Sequence, residues 1–328
     1  MLQRDETACA DAAPGGTSRL LQMGGVLVGF AIIGFVILIG YIVERFGIAG
    51  ANAGHVLNRV AFFVATPALL FTVLAHADVS VLFSSFLLTV LSSVVIGAIL
   101  YLLIARVFFR LPVSETALGA ASAVYVNANN IGLPVAVYVL GNAQYVAPVL
   151  LLQLLVLAPI TLGILEVATR GRASVGSILL GPLRNPMIIA SLIGVLIAVL
   201  GVQVPDPVMA PLELIGGAAI PLVLLAFGMS LHGQRPLKAG SGRKQVAAAS
   251  IIKVAVMPVV AYLIGDLVFG ISGQDLFAVV AVSALPTAQN IFNFAARYDR
   301  GIVVARDTVL VTTVGSIPAL LLIAALLA

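Results

Sequence analysis

Apolar stretches of twenty or more residues recur along most of this chain, and they constrain its fold more than any other feature. A helix needs about 20 apolar residues to cross the hydrocarbon core of a bilayer, since each residue adds about 1.5 Å. Hydrophobic residues make up 61% of the 328 positions and charged residues only 9%, against about a quarter in a typical soluble protein. The expected fold class is therefore an all-α membrane protein.

Two other kinds of structure are disfavoured. A transmembrane β-barrel needs strands that alternate apolar and polar residues with period two, and the long apolar runs do not alternate. Cys9 is the only cysteine, so an intramolecular disulfide is excluded, and there is no CxxC or Cys/His cluster that would suggest a metal site. We therefore expect no cofactor and no metal.

Hydropathy divides the chain into ten predicted spans. We predict a polar N-terminal tail at 1–23, a first group of five helices at 24–169, a cytoplasmic linker at 170–184 and a second group of five at 185–328. The tail lacks the basic-then-apolar order of a signal peptide, and we expect the native chain to start at Met23. The predicted spans are 24–44, 56–75, 80–105, 115–140, 146–168, 185–202, 208–231, 246–268, 275–297 and 302–327.

The positive charges predict the orientation in the membrane. Fourteen of the seventeen basic residues fall in or beside the loops that follow the odd-numbered predicted spans, and the other loops contain no basic residue. Cytoplasmic loops are enriched in lysine and arginine. We therefore expect a multi-pass protein of the plasma (inner) membrane with both termini on the extracytoplasmic side.

A weak internal repeat relates the two halves. The residues from Ala128 to Ile131 in span 4 align with those from Ala288 to Ile291 in span 9, and at the same offset Tyr138 aligns with Tyr298. Because each half has an odd number of spans, the repeats must be inverted in the membrane. Inverted repeats with paired, interrupted helices are typical of secondary transporters, whose binding sites lie where the interruptions meet.

Spans 4 and 9 carry the interruptions, "VNANNIGLP" and "SALPTAQNIFNFAARY". Pro134 and Pro286 each remove a backbone donor, and Gly132 lowers the helix preference further. Irregular backbone is tolerated at membrane depth only against protein or a watered cavity. We therefore predict a crossover of two broken helices, at Gly132, Pro134 and Pro286. Its predicted substrate-binding residues are Asn127, Asn129, Asn130, Gln153, Gln289, Asn290, Asn293 and Lys253.

Simpler explanations exist for these residues. Prolines often kink membrane helices, amides often bridge neighbouring helices, and Lys253 could extend its ammonium to the nearby interface. The functional interpretation makes Lys253 a counter-charge for an anion and lets Gln153 line the cavity. The four acidic residues considered, Glu44, Glu166, Glu213 and Asp266, lie towards span ends, which weakens a relay through buried carboxylates and favours an anionic substrate.

These motifs resemble the auxin efflux carrier family, which includes the plant PIN carriers and bacterial permeases labelled for malonate or malate. The similarity lies in "NANNIGLP", in "ALPTAQNIFNFAARY" and in "RNPMIIASLIG" at 184–194, and it extends over about 24–328. The resemblance implies ten spans in two inverted repeats and an elevator-like exchange of organic anions. It also implies a scaffold of spans 1, 2, 6 and 7 that is often dimeric, so a homodimer is expected, and a substrate-lining role for Gln153.

Two differences from the plant carriers narrow the range of expected substrates. The linker at 170–184 replaces their long cytoplasmic loop, and span 9 has polar residues where the plant pattern is more apolar. A carboxylate smaller and more polar than auxin is therefore expected.

Several functions remain to be weighed. The leading hypothesis is a secondary active transporter for a small organic anion, with H⁺ or Na⁺ coupling left open. The alternative is a sodium-coupled symporter that resembles the bile-acid carriers, with the amides holding sodium. A channel or a receptor is a third class. An intramembrane protease would need HExxH or paired mid-membrane aspartates, which are absent, so the chain is not expected to be an enzyme.

Overall fold

The protein is almost entirely helical wherever its structure is defined. A computed structural model describes residues 15–50, 52–76, 85–170, 185–233, 237 and 242–327. Within these ranges there is no β-strand, only one isolated bridge. The predicted linker at 170–184 and the first fourteen residues of the predicted tail fall almost wholly outside the described residues. The helices are α1 (Gly15–Arg45), α2 (Ala53–Ala75), α3 (Ser85–Phe109), α4 (Val113–Val124), α5 (128–138), α6 (Ala143–Thr169), α7 (Pro186–Leu200), α8 (Asp206–Ser230), α9 (Arg243–Leu267), α10 (Gly273–Ser283), α11 (Gln289–Tyr298) and α12 (Ile302–Leu327).

Six helices of the described part are long and apolar enough to cross a membrane, namely α2, α3, α6, α8, α9 and α12. Helices α7 and α10 are apolar but shorter. Most predicted span ends lie within a few residues of the observed helix ends, whereas α1 begins at Gly15, well before the predicted start at 24. The chain is an all-helical membrane protein, as its hydropathy predicts.

Wide turns with i→i−5 hydrogen bonds occur in five helices of the described part, at 61–65, 105–109, 128–132, 153–157 and 252–256. Except after the turn at 105–109, a proline follows two residues after the turn, at Pro67, Pro134, Pro159 and Pro258. A proline ring crowds the carbonyl four residues earlier, and widening the preceding turn moves that carbonyl away. These prolines are therefore accommodated inside continuous helices.

The breaks lie elsewhere in the chain. Span 4 is interrupted at 125–127, between α4 and α5, and span 9 is interrupted at 284–288, between α10 and α11. Pro286 lies within its break, whereas Pro134 lies in the first turn of a regular helical segment downstream of its break. The prediction placed the span 4 break too late because it assigned the break to the proline. The wide turn at 128–132 relieves the proline, so the helix continues through it.

The helices pack into two groups. The first helix group comprises α1, α2, α7 and α8, and the second comprises α3, α4, α6 and α9–α12. Glycines let the first helix group pack closely: a Cβ at Gly40 would overlap the Leu225 carbonyl, and one at Gly228 would overlap the Ile37 carbonyl. Such contacts between small residues are a common basis of helix association in membranes. Helix α5 lies between the groups and packs against α1 and α8.

Candidate functional site

The two breaks are joined to each other by backbone hydrogen bonds. Val126 and Thr287 form an antiparallel bridge. On either side of it, the N–H of Asn127 donates to the carbonyl of Pro286 at 2.7 Å, and the N–H of Ala288 donates to the carbonyl of Tyr125 at 2.9 Å. An unpaired backbone group in an apolar interior costs about 2–7 kcal/mol, so each break stabilises the other.

Thr287 anchors this junction to the surrounding helices. Its hydroxyl donates to the carbonyl of Ser122 in α4 at 2.6 Å, and its N–H donates to the hydroxyl of Thr312 in α12 at 3.0 Å. The side chain is fully buried. Sequence reasoning missed Thr287 because a threonine in an apolar run is common; its position directly after Pro286 was the available signal.

A polar cavity of about 570 Å³ adjoins the junction, between the two helix groups. From the first helix group it is lined by residues of α1, α2, α7 and α8, including Glu44, His55 and Asn58. The opposite wall comprises α5, α11, the break at 125–127 and part of α6. A cavity of this size falls within the range of small-molecule sites, about 300–1,000 Å³.

The cavity collects most of the predicted site residues. Four other predicted positions, Gly132, Pro134, Pro286 and Lys253, are not among its lining residues. Gly132 instead packs near Leu285 of the second break, where an added Cβ would come within 3.0 Å of the Leu285 Cδ1. The predicted residues that line the cavity are Asn127, Asn129, Asn130, Gln153, Gln289, Asn290 and Asn293.

Asn127 caps the start of α5 and retains a free donor. Its Oδ1 accepts a hydrogen bond from the N–H of Asn130 at 3.1 Å. The buried Nδ2 has no partner among the described residues, and neither does the buried Oδ1 of Asn129. Buried amide groups are normally hydrogen-bonded. These two atoms are therefore unsatisfied hydrogen-bonding groups in residues that line the cavity.

The second helix start at the cavity has no side-chain cap. Helix α11 begins at Gln289 after Ala288, which offers its N–H groups no side-chain acceptor. Gln289, Asn290 and Asn293 of this helix line the cavity. The start of a helix carries a partial positive charge and free N–H groups, which favour anions. Two helix starts, at 128 and 289, thus border one polar cavity.

Gln153 lies in the wide turn of α6, opposite the junction. Its side chain is buried, at 4% exposure. Its backbone carbonyl accepts a hydrogen bond from the Tyr125 hydroxyl at 3.2 Å. Further along α6, the hydroxyl of Tyr298 donates to Glu166 at 2.7 Å. These bonds fix α6 against the break in span 4 and against α11.

Several polar residues were not foreseen as site residues. Glu44 and His55 line the cavity at the end of α1 and the start of α2, and Tyr125 lies in the break itself. Asp307, in α12, is fully buried, pairs with Arg306 at 2.7 Å and accepts a hydrogen bond from the N–H of Leu237 at 2.9 Å. Asp307 was not among the acidic residues weighed from the sequence, because it lies close to the predicted start of span 10. It is not among the cavity residues.

A protein family described as membrane transport protein matches this chain over residues 26–177 and 170–324. The chain belongs to this family. The resemblance to auxin efflux carriers that the motifs indicated is thereby confirmed.

Relatives of this membrane transport protein come from bacteria and archaea. It is 27% identical over 290 residues to a Rhizobium meliloti protein named "Putative malonate transporter", covering 86% of this chain and 89% of the relative. It is 23% identical over 295 residues to an uncharacterized transporter of Methanocaldococcus jannaschii, covering 87% and 94%. An uncharacterized transporter of Methanothermobacter thermautotrophicus is 25% identical over 291 residues, covering 87% and 92%. The similarity therefore spans nearly the whole of each relative.

Proposed function

We propose that this membrane transport protein is a secondary active transporter for a small organic anion such as a carboxylate. The observation that carries the proposal is the pair of helix starts, at 128 and 289, that border one polar cavity. Both helix ends favour negative charge, and they converge at a junction of two broken helices.

The cavity lining favours a small polar anion. Amide groups from both breaks supply hydrogen-bond donors, and the Nδ2 of Asn127 is buried without a partner among the described residues. We assign substrate contacts to Asn127, Asn130, Gln153 and Asn290, with Asn129, Gln289 and Asn293 beside them. A relative named for malonate makes that dicarboxylate the first compound to test.

Movement of one helix group against the other is the proposed transport step. The first helix group packs closely through Gly40 and Gly228, and the cavity lies between this group and the second. These contacts support an elevator-type mechanism in which the first group is the scaffold, pairs in a homodimer, and the second group carries the anion across. The glutamate and histidine at the far end of the cavity, Glu44 and His55, then mark the route towards the cytoplasm.

Reconstituted protein in liposomes tests the proposal directly. We expect saturable uptake of radiolabelled malonate, slowed about tenfold or more by Asn290→Ala, a change of about 1.4 kcal/mol. Asn52→Ala is the matched control, because Asn52 is exposed, forms no side-chain cap and is not a cavity residue. Unitary currents would indicate a channel, and binding without movement a receptor. Either result, or equal flux in both variants, would contradict the assignment.

A further inference from the structure

Lys253 is a fully buried lysine in the wide turn of α9. Its ammonium donates to the carbonyl of Ser283 at 2.9 Å and contacts the sulfur of Met257 at 3.3 Å. The side chain therefore does not extend to the membrane interface, and it does not line the cavity. It is directed to the neighbouring helix α10, whose last residue is Ser283.

The charge of Lys253 is compensated by the end of a helix and not by a carboxylate. An isolated buried ammonium is strongly disfavoured unless something compensates its charge. In the described ranges no acidic side chain forms an ion pair with it, and Asp307 of the adjacent α12 is occupied by Arg306 and by the N–H of Leu237. The C-terminal end of a helix carries a partial negative charge. The end of α10 is thus the partner of this cation.

The other C-terminal end at the junction is also closed by a protein donor. The carbonyl of Ser122, near the end of α4, accepts a hydrogen bond from the hydroxyl of Thr287. One carbonyl at each of these C-terminal ends therefore already has a side-chain donor, whereas the two helix starts border the cavity. In a crossover of two broken helices, the carbonyl-bearing ends are the positions suited to a metal cation, because their oxygens can replace its water.

We propose that the Lys253 ammonium is a resident cation at the end of α10, occupying the position that a coupling sodium ion would otherwise take. The transport part of this inference rests on the proposed function: anion movement then needs no sodium. The cation position itself can be tested in the resting protein, without any substrate.

The decisive comparison is the melting temperature of purified protein in sodium chloride and in choline chloride at equal ionic strength. We expect no difference for the wild type. Lys253→Ala leaves the Ser283 carbonyl without its donor, and the buried hydroxyl of the same residue has no partner among the described residues. The variant should melt below the wild type in choline and recover by about 2–4 °C in sodium, since a ligand that binds only the folded state stabilises it.

Two controls separate this effect from general weakening of the fold. Lys253→Met fills the space without oxygen ligands and should be destabilised equally in both salts. Lys244→Ala removes an exposed lysine of the same helix and should match the wild type. Equal melting of Lys253→Ala in both salts, or sodium stabilisation of the wild type, would overturn the proposal.

If Lys253→Ala does not fold, malonate flux through the wild type still tests the proposal. Malonate flux that is unchanged when choline replaces sodium supports a resident cation, and flux that requires sodium overturns it. If no carboxylate is transported at all, the proposed function fails, yet the comparison of melting temperatures still tests the cation position.

Discussion

The hydroxyl of Thr287 donates a 2.6 Å hydrogen bond to the carbonyl of Ser122, so that the break in span 9 closes the end of the helix that precedes the break in span 4. Both side chains are fully buried. One buried side chain that does not line the cavity thus adds to the backbone hydrogen bonds that align the two breaks.

Thr287→Val keeps the shape of the side chain and removes this donor. The Ser122 carbonyl then loses its partner in a buried position, which costs about 1–3 kcal/mol. We expect a lower melting temperature together with weaker anion binding, because the junction loses its alignment. Thr287→Ser retains the hydroxyl and should retain wild-type affinity in isothermal titration. Wild-type affinity in Thr287→Val would show that the hydrogen bond to Ser122 does not position the site.

Asn127→Asp separates helix capping from anion binding. Aspartate caps a helix start about as well as asparagine, so the acceptor for the N–H of Asn130 is kept, while the burial of a carboxylate should lower the melting temperature. The variant loses the free Nδ2 donor and gains a negative charge beside the cavity. We expect anion affinity to fall at least tenfold, or by about 1.4 kcal/mol. An affinity equal to that of the wild type would remove Asn127 from the proposed site.

Gly228→Ala tests the close packing of the first helix group. The added Cβ would overlap the carbonyl of Ile37 in α1. Overpacking of this kind costs about 1–3 kcal/mol, so thermal unfolding should shift downward. Gly217→Ala, in the same helix α8, has nothing within 4 Å of the added carbon and should be neutral or slightly stabilising. If both variants unfold alike, the contact between α1 and α8 is less rigid than the structure indicates.

Cysteine labelling tests the predicted orientation. In a Cys9→Ala background, Ile48→Cys lies between α1 and α2 and Val202→Cys lies between α7 and α8, and both side chains are exposed. The positive-inside rule predicts that a membrane-impermeant maleimide labels position 202 in intact cells and reaches position 48 only after permeabilisation. The reverse pattern would invert the topology.

Hydropathy anticipated the helices well, because the bilayer imposes a minimum length on every apolar run. The sequence also suggested that amides such as Asn127 and Asn290 line one cavity, since irregular polar segments at membrane depth need protein or a water-filled cavity around them. The position of the first break was not, because a proline can either break a helix or follow a wide turn, and Pro134 does the latter. The direction of Lys253 depends on how α9 packs against α10, which no local pattern encodes.

The wide turn of α9 determines how this helix responds to the loss of one residue. A turn closed by i→i−5 bonds accommodates one residue more than an α-helical turn, while the segments on either side keep their facing. Deleting one residue from 252–256 should therefore leave two halves that still present their original faces, although Pro258 would then crowd the carbonyl four residues before it. The same deletion within the regular stretch Ser85–Ile104 of α3 would rotate everything beyond it by about 100°, exchanging lipid-facing and buried positions.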